Sequence, residues 1–187
     1  MGRLIYSANV SLDGYAADAE GSFDWSQPDE QVHAYIADLL RPMGTHLYGR
    51  RMYEVMSFWE TVDDPDPFMV DFAQLWQAAE KVVYSRTLTE TTTARSRIER
   101  DFDGEAVRAL VEASETDVLI GGAEIAGQAL AAGLVDEIHT FAHPILVGGG
   151  LRWLPDGVRA DLELVDEHRF GSVVHLHHHV LGRASSR

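Results

Sequence analysis

The stretch Asp117–Ala132, DVLIGGAEIAGQALAA, carries the reading of the fold. An apolar run, Val118–Ile120, meets the pair Gly121–Gly122, and an alanine-rich helical pattern begins at once. A short apolar strand turning directly into a helix is the repeating step of an α/β sheet. Glycine lets backbone approach a ligand closely because no side chain stands in the way. The helix leaves its first N–H groups free, with the positive end of its dipole at the turn, which suits a phosphate. A tight turn demands glycine with no ligand at all, so the pair alone leaves both readings open.

On either side of this junction strand and helix patterns alternate. Arg3–Val10 reads as a strand, with a turn at Asp13–Gly14 and a polar loop over residues 17–28. Asp29–Leu40 places Val32, Tyr35, Ile36, Leu39 and Leu40 at helical spacing, opened by Pro28–Asp29 and closed before Pro42. Thr45–Tyr48 reads as a strand running into Gly49, Arg50–Met56 as a helix, Asp64–Pro67 as a turn and Phe68–Ala79 as a helix. Strands follow at Lys81–Tyr84, Arg97–Arg100 and Asp117–Ile120, with helices at Glu105–Ala113 and Glu124–Ala132. Val135–Val147 is expected to be a strand broken at Pro144, and Asp161–Phe170 with Ser172–Leu181 a hairpin about Gly171. The order predicts a three-layer α/β fold: a mixed, mostly parallel sheet flanked by helices, with an antiparallel C-terminal hairpin. One domain over 1–182 and a frayed tail over 183–187 complete the expectation.

Composition narrows the function. At 187 residues the chain suits one domain with a sizeable core. Thirty acidic against 15 basic residues give a formal charge of −15, which repels a nucleic-acid backbone and points away from such partners. No apolar run reaches membrane-spanning length, and MGRLIYSANVSLDG lacks the apolar core and cleavage site of a signal peptide. The absence of cysteine removes disulfides and thiolate metal sites and fits a cytoplasmic enzyme. A small-molecule substrate is expected, with no nucleic acid and no membrane.

Three strand ends share one chemistry. Gly49-Arg50-Arg51 follows the strand 45–48, Ser85-Arg86-Thr87 the strand 81–84, and Gly121-Gly122 the strand 118–120. Open α/β sheets bind ligands beyond the C-terminal ends of their strands. Arginine's planar fork matches phosphate oxygens, and Ser or Thr adds a hydroxyl. Three such ends in an otherwise acidic chain suggest a ligand with more than one phosphate.

The segments SLDGY (11–15), GRRMYE (49–54), VVYSRTL (82–88), LIGGAEIAGQAL (119–130), GLVDEIH (133–139) and PILVGGG (144–150) resemble the dihydrofolate reductase superfamily. More narrowly, they resemble stand-alone relatives of the reductase domain of bifunctional riboflavin-biosynthesis enzymes. The resemblance covers nearly the whole chain and implies a dihydrofolate-reductase-like fold, an NADPH-dependent reductase and pairing as a homodimer, to which the apolar region 144–153 could contribute. That superfamily binds NADPH without the fingerprint G-x-G-x-x-G, which is absent here too.

Carried over, Gly49, Arg50 and Arg51 would lie on the cofactor's phosphates. Ser85 and Arg86 would face the adenosine 2′-phosphate, and Gly121 and Gly122, with Ala123, Glu124 and Ile125, would cradle the pyrophosphate. Met52 stands where the family's GRxTYE has Thr, so one hydroxyl contact is missing. The nicotinamide would sit where Ala8 and the loop Gly14–Ala16 meet the sheet. In DWSQPDE (24–30), Trp25, Pro28 and Glu30 match the spacing of a Trp, a Pro and a helix-opening acid in dihydrofolate reductases. Trp25 and Glu30 are thus the catalytic candidates, Glu30 as a carboxyl group of raised pKa in a partly apolar pocket. Asp29 and Glu30 also fit as first-turn acids stabilised by the helix dipole, and Trp25 as a core anchor.

A pteridine and a ribosylaminouracil phosphate remain open as substrates. The second needs another phosphate site, for which no further basic cluster is evident, and the H-x-E and Cys motifs of the zinc deaminase partner are absent. A nucleotide binder that kept the fold and lost the reaction is the alternative. In VHLHHHV (174–180) a strand would project His175, His177 and His179 to one face. They could take zinc or nickel adventitiously, but the expectation is partly exposed strand residues and no functional metal.

Overall fold

The central strands are apolar on both sides, as strands covered on both faces must be. In the computed structural model, which describes residues 1–64 and 66–181, alternate residues of each strand feed two separate cores. Leu4 and Tyr6 of β1 (Leu4–Ser11), Leu47 of β3 (Met43–Gly49), Val82 of β4 (Glu80–Tyr84) and Val118 and Ile120 of β6 (Asp117–Gly121) face one core. There they meet Val107 of α4 (Gly104–Ala113) and Ile125, Ala126, Ala129 and Leu130 of α5 (Ala123–Ala131). Ile5, Tyr48, Val83 and Leu119 face the other. It is closed by Ala37 and Leu40 of α1 (Glu30–Leu40), Tyr53 of α2 (Arg50–Met56) and Phe72 and Trp76 of α3 (Pro67–Ala78).

The strands form one eight-stranded sheet in the order β5-β4-β3-β6-β1-β7-β10-β9, where β5 is Ser96–Glu99, β7 Glu137–His143, β9 Leu162–Phe170 and β10 Val173–Val180. Pairings from β5 to β7 are parallel, and β7-β10 and β10-β9 are antiparallel. The mixed, mostly parallel sheet with an antiparallel ending is thus present. The tail 183–187 lies outside the described residues.

Two features depart from the sequence reading. The strand expected over 135–147 stops at His143, because Pro144 cannot donate to a ladder. The loop beyond is held by Asp13, whose carboxylate accepts from the N–H groups of Val147 at 3.2 Å and Gly148 at 2.8 Å. A second small sheet pairs β2 (Tyr15–Ala17) with β8 (Leu151–Arg152), two pieces too short to show any periodicity.

The helix starts differ in a way that bears on function. Asp29, Asp66 and Asp103 cap α1, α3 and α4 through their side chains. Gly49 and Gly122 open α2 and α5 with no side-chain cap. Their first N–H groups remain available.

Candidate functional site

Because β4, β3 and β6 are neighbours, the three strand ends come together along one edge. Gly49 is paired with Tyr84, and Tyr48 with Gly121. A Cβ on Gly122 would lie 3.7 Å from the Gly49 nitrogen, so the starts of α2 and α5 adjoin, one serving each face of the sheet. Two uncapped helix N-termini side by side form a local positive end in an acidic protein.

The glycines also have internal reasons. Gly121 is buried, and a Cβ there would stand 2.9 Å from the Tyr48 ring. Gly122 has φ +104°, a conformation that side chains rarely adopt. Met52 packs on both, within 3.4 Å of either hypothetical Cβ. The following residues differ in setting: Ala123 is half-buried, Glu124 exposed, and Ile125 points into the core.

The cations around this edge are partly engaged. Arg50 donates from Nε to Glu54 and from Nη1 to the Thr87 hydroxyl, both at 2.7 Å. Arg86 is exposed and held at 2.6 Å by Asp101. Arg51 is exposed and has no ion pair among the described residues. Ser85 corrects the expectation for it. Its hydroxyl is buried and accepts from its own turn, from the N–H groups of Thr87 at 3.3 Å and Leu88 at 3.0 Å, so it does not face outward.

The expected substrate side lies at the end of β1. Ala8 is half-buried opposite Thr140, and the strand carrying Ala16 packs beside β1. Trp25 lies in a single 3₁₀ turn, Asp24–Ser26, with its ring edge-on to His143 at 5.7 Å. Its Nε1 is buried without an acceptor among the described residues. Glu30 is a correction: it is exposed at the first position of α1, in no apolar pocket, while Asp29 caps the helix by accepting from Val32 N–H at 2.9 Å. The sequence reading missed His143 and Asn9. His143 is buried, contacts the Asn9 amide oxygen at 3.0 Å, and is pushed below the ordinary histidine pKa by burial. Its place immediately before PILVGGG was the available signal.

His175, His177 and His179 do share one face of β10, but His175 is fully buried rather than partly exposed. A cavity of about 360 Å³ bordered by Leu130, Val135, Asp136 and Arg159 lies at the opposite edge of the sheet, away from the paired helix starts.

Residues 3–176 match the RibD C-terminal domain. The chain belongs to this family. The RibD C-terminal domain spans nearly the whole sequence here. The chain is 30% identical over 178 residues to the uncharacterized protein YyaP of Bacillus subtilis (strain 168), covering 92% of this chain and 91% of that one. In fold it is similar to a Shewanella sp. PV-4 protein assigned to riboflavin biosynthesis, with a TM-score of 0.75 and 23% identity over 95% of this chain and 98% of that one. Acinetobacter baumannii RibD superposes with a TM-score of 0.71 at 17% identity, covering 96% of this chain but 58% of that one. A pyrimidine reductase-like protein of Corynebacterium diphtheriae gives 0.67 at 14% identity, over 96% of this chain and 92% of that one. The dihydrofolate-reductase-like architecture expected from the motifs is therefore the fold of this RibD-type domain.

Proposed function

We propose that the chain is an NADPH-dependent reductase that delivers hydride to a C=N or C=O carbon of a small heterocycle. The observation that carries this reading is the pair of adjoining helix N-termini, each opened by glycine with no side-chain cap, flanked by Arg50, Arg51 and Arg86. Such donors suit the phosphates of a dinucleotide. Gly49, Gly122 and the first turns of α2 and α5 would hold the pyrophosphate, and Arg86, once released from Asp101, the 2′-phosphate. The cofactor, when bound, supplies the hydride. The chain's own groups orient the substrate at the end of β1, where Trp25, Asn9 and His143 meet, and exclude water there. His143, whose Nε2–H is engaged by the Asn9 amide oxygen and whose pKa burial lowers, would position the substrate heteroatom as a neutral hydrogen-bonding group rather than take over the proton delivery expected of Glu30.

A nucleotide binder without turnover is favoured by Met52, which replaces a hydroxyl contact with a thioether, and by the exposure of Glu30. Titration with NADPH and NADH, followed by the fluorescence of the four tryptophans, tests the shared premise. Binding that prefers NADPH supports the cofactor site, and no binding of either by the folded protein sinks it. Turnover with dihydrofolate or flavin precursors then separates reductase from binder.

A further inference from the structure

Glu137 and His139 of β7 and His177 of β10 lie far from the paired helix starts, on the α1 face of the sheet where Glu137 is in register with Ile5 near the beginning of β1. Three ligand atoms converge there within 4.8 Å of one another. His177 Nε2 is 3.1 Å and His139 Nε2 3.6 Å from the same oxygen, Oε2 of Glu137. The two imidazoles stack at 4.1 Å with their planes within 15° of parallel, so one ring would tilt for both Nε2 lone pairs to meet on a single ion. Glu137 and His139 are each 4% exposed, and His139 Nε2 is buried with no hydrogen-bond partner among the described residues. An orphaned buried nitrogen aimed at a carboxylate needs a reason.

We propose that Glu137, His139 and His177 form a binding site for one divalent transition-metal ion of the zinc class. The donor set of two neutral imidazoles and one carboxylate is that of zinc and its first-row neighbours. Zn–N bonds of about 2.0–2.1 Å put tetrahedral ligand atoms roughly 3.3 Å apart, close to the two separations observed. Surrounding groups orient the ligands. Metal on His139 Nε2 leaves the proton on Nδ1, where His175 Nε2 accepts at 3.0 Å. Arg3 donates to the other oxygen, Oε1, at 2.5 Å, which turns Oε2 toward the imidazoles, and Asp117 balances the guanidinium. His179 lies 3.3 Å from Oε1, on the other oxygen, so water would complete the coordination. The ion would staple the last strand pair to the parallel sheet.

The test uses the untagged full chain, without NADPH. Calorimetric titration with zinc should give one saturable site, and cobalt substituted for zinc should show visible absorption from nitrogen and oxygen coordination. His177→Asn, at a half-buried position, and Glu137→Gln should each weaken binding at least tenfold and abolish the rise of Tm that zinc gives the parent protein. His168→Asn, which removes an exposed imidazole paired with Asp166, should bind as the parent does. His139→Gln serves as a further ligand variant, and if it fails to fold, His177→Asn decides alone. No saturable binding by the parent, or undiminished binding by His177→Asn, overturns the site.

Discussion

Arg86 shows how little of a residue's role its identity settles. The sequence places a guanidinium just past a strand end, and the fold supplies a competitor, Asp101, which must release it before a phosphate can engage. Arg86→Ala should therefore weaken NADPH about tenfold and leave NADH nearly unchanged, the scale of one charge-assisted contact. Asp101→Asn should have the opposite sign, tightening NADPH by freeing the arginine. Parallel fluorescence titrations of both variants with both cofactors check the pair, and equal losses for NADPH and NADH in Arg86→Ala would remove the 2′-phosphate assignment. Gly122 makes a second residue-scale case. Its φ of +104° makes any side chain strained, so Gly122→Ala should cost on the order of 1–3 kcal/mol of stability in urea unfolding, with or without a ligand.

At the scale of elements, β3, β4 and α3 are tied by a buried polar chain. Lys81 Nζ donates to the Trp76 carbonyl at 3.2 Å at the end of α3, and Trp76 Nε1 donates to the Tyr48 hydroxyl at 3.2 Å. That hydroxyl meets His46 Nδ1 at 2.9 Å. His46 is fully buried, and burial first, then the Lys81 charge, lowers its pKa to about 4. An unfolded histidine titrates near 6.5, so between about 6.5 and 4 the unfolded chain binds a proton that the folded chain refuses. The stabilisation is complete above pH 6.5 and is lost as pH falls toward 4, at up to about 1.4 kcal/mol per pH unit. Chemical unfolding at pH 7 and pH 5 should show the loss, and His46→Asn should remove one proton's share of it, the other buried histidines supplying the rest.

For the whole molecule, the antiparallel end of the sheet is the part that bears on assembly. The outermost strand, β9, leaves Leu162, Leu164 and Val165 about half exposed, and Leu146 and Leu151 are exposed in the glycine-rich region. An unpaired edge carrying apolar side chains invites pairing with another chain. The chain is expected to sediment as a homodimer, and Leu164→Lys should shift it toward monomer. A monomeric parent protein at micromolar concentration would overturn that expectation. No helix among the described residues is long and apolar enough to cross a membrane.

The elements were legible because their signals are local. Period-2 and period-3.6 patterns, Asp caps and Gly turns depend on near neighbours, so β6, α5, α1 and the hairpin at Gly171 fall within a residue or two of their expected bounds. Strands β2 and β8 were not legible, since two or three residues hold no period. The strand-end motifs of the candidate site were likewise visible one at a time, and their number argued for a polyphosphate ligand. Only the sheet order made β4, β3 and β6 adjacent and brought the two uncapped helix starts together. Tertiary structure also decided the inward turn of Ser85, the exposure of Glu30 and the meeting of Asn9 with His143 across 134 residues. Glu137 and His177, 40 residues apart, face each other solely because β7 and β10 pair in one register. Sequence determined which segments are strands and helices, through chemistry that acts between chain neighbours. Register and strand order determined the sites, because they set which side chains meet, and a slip of one residue would send each to the opposite face.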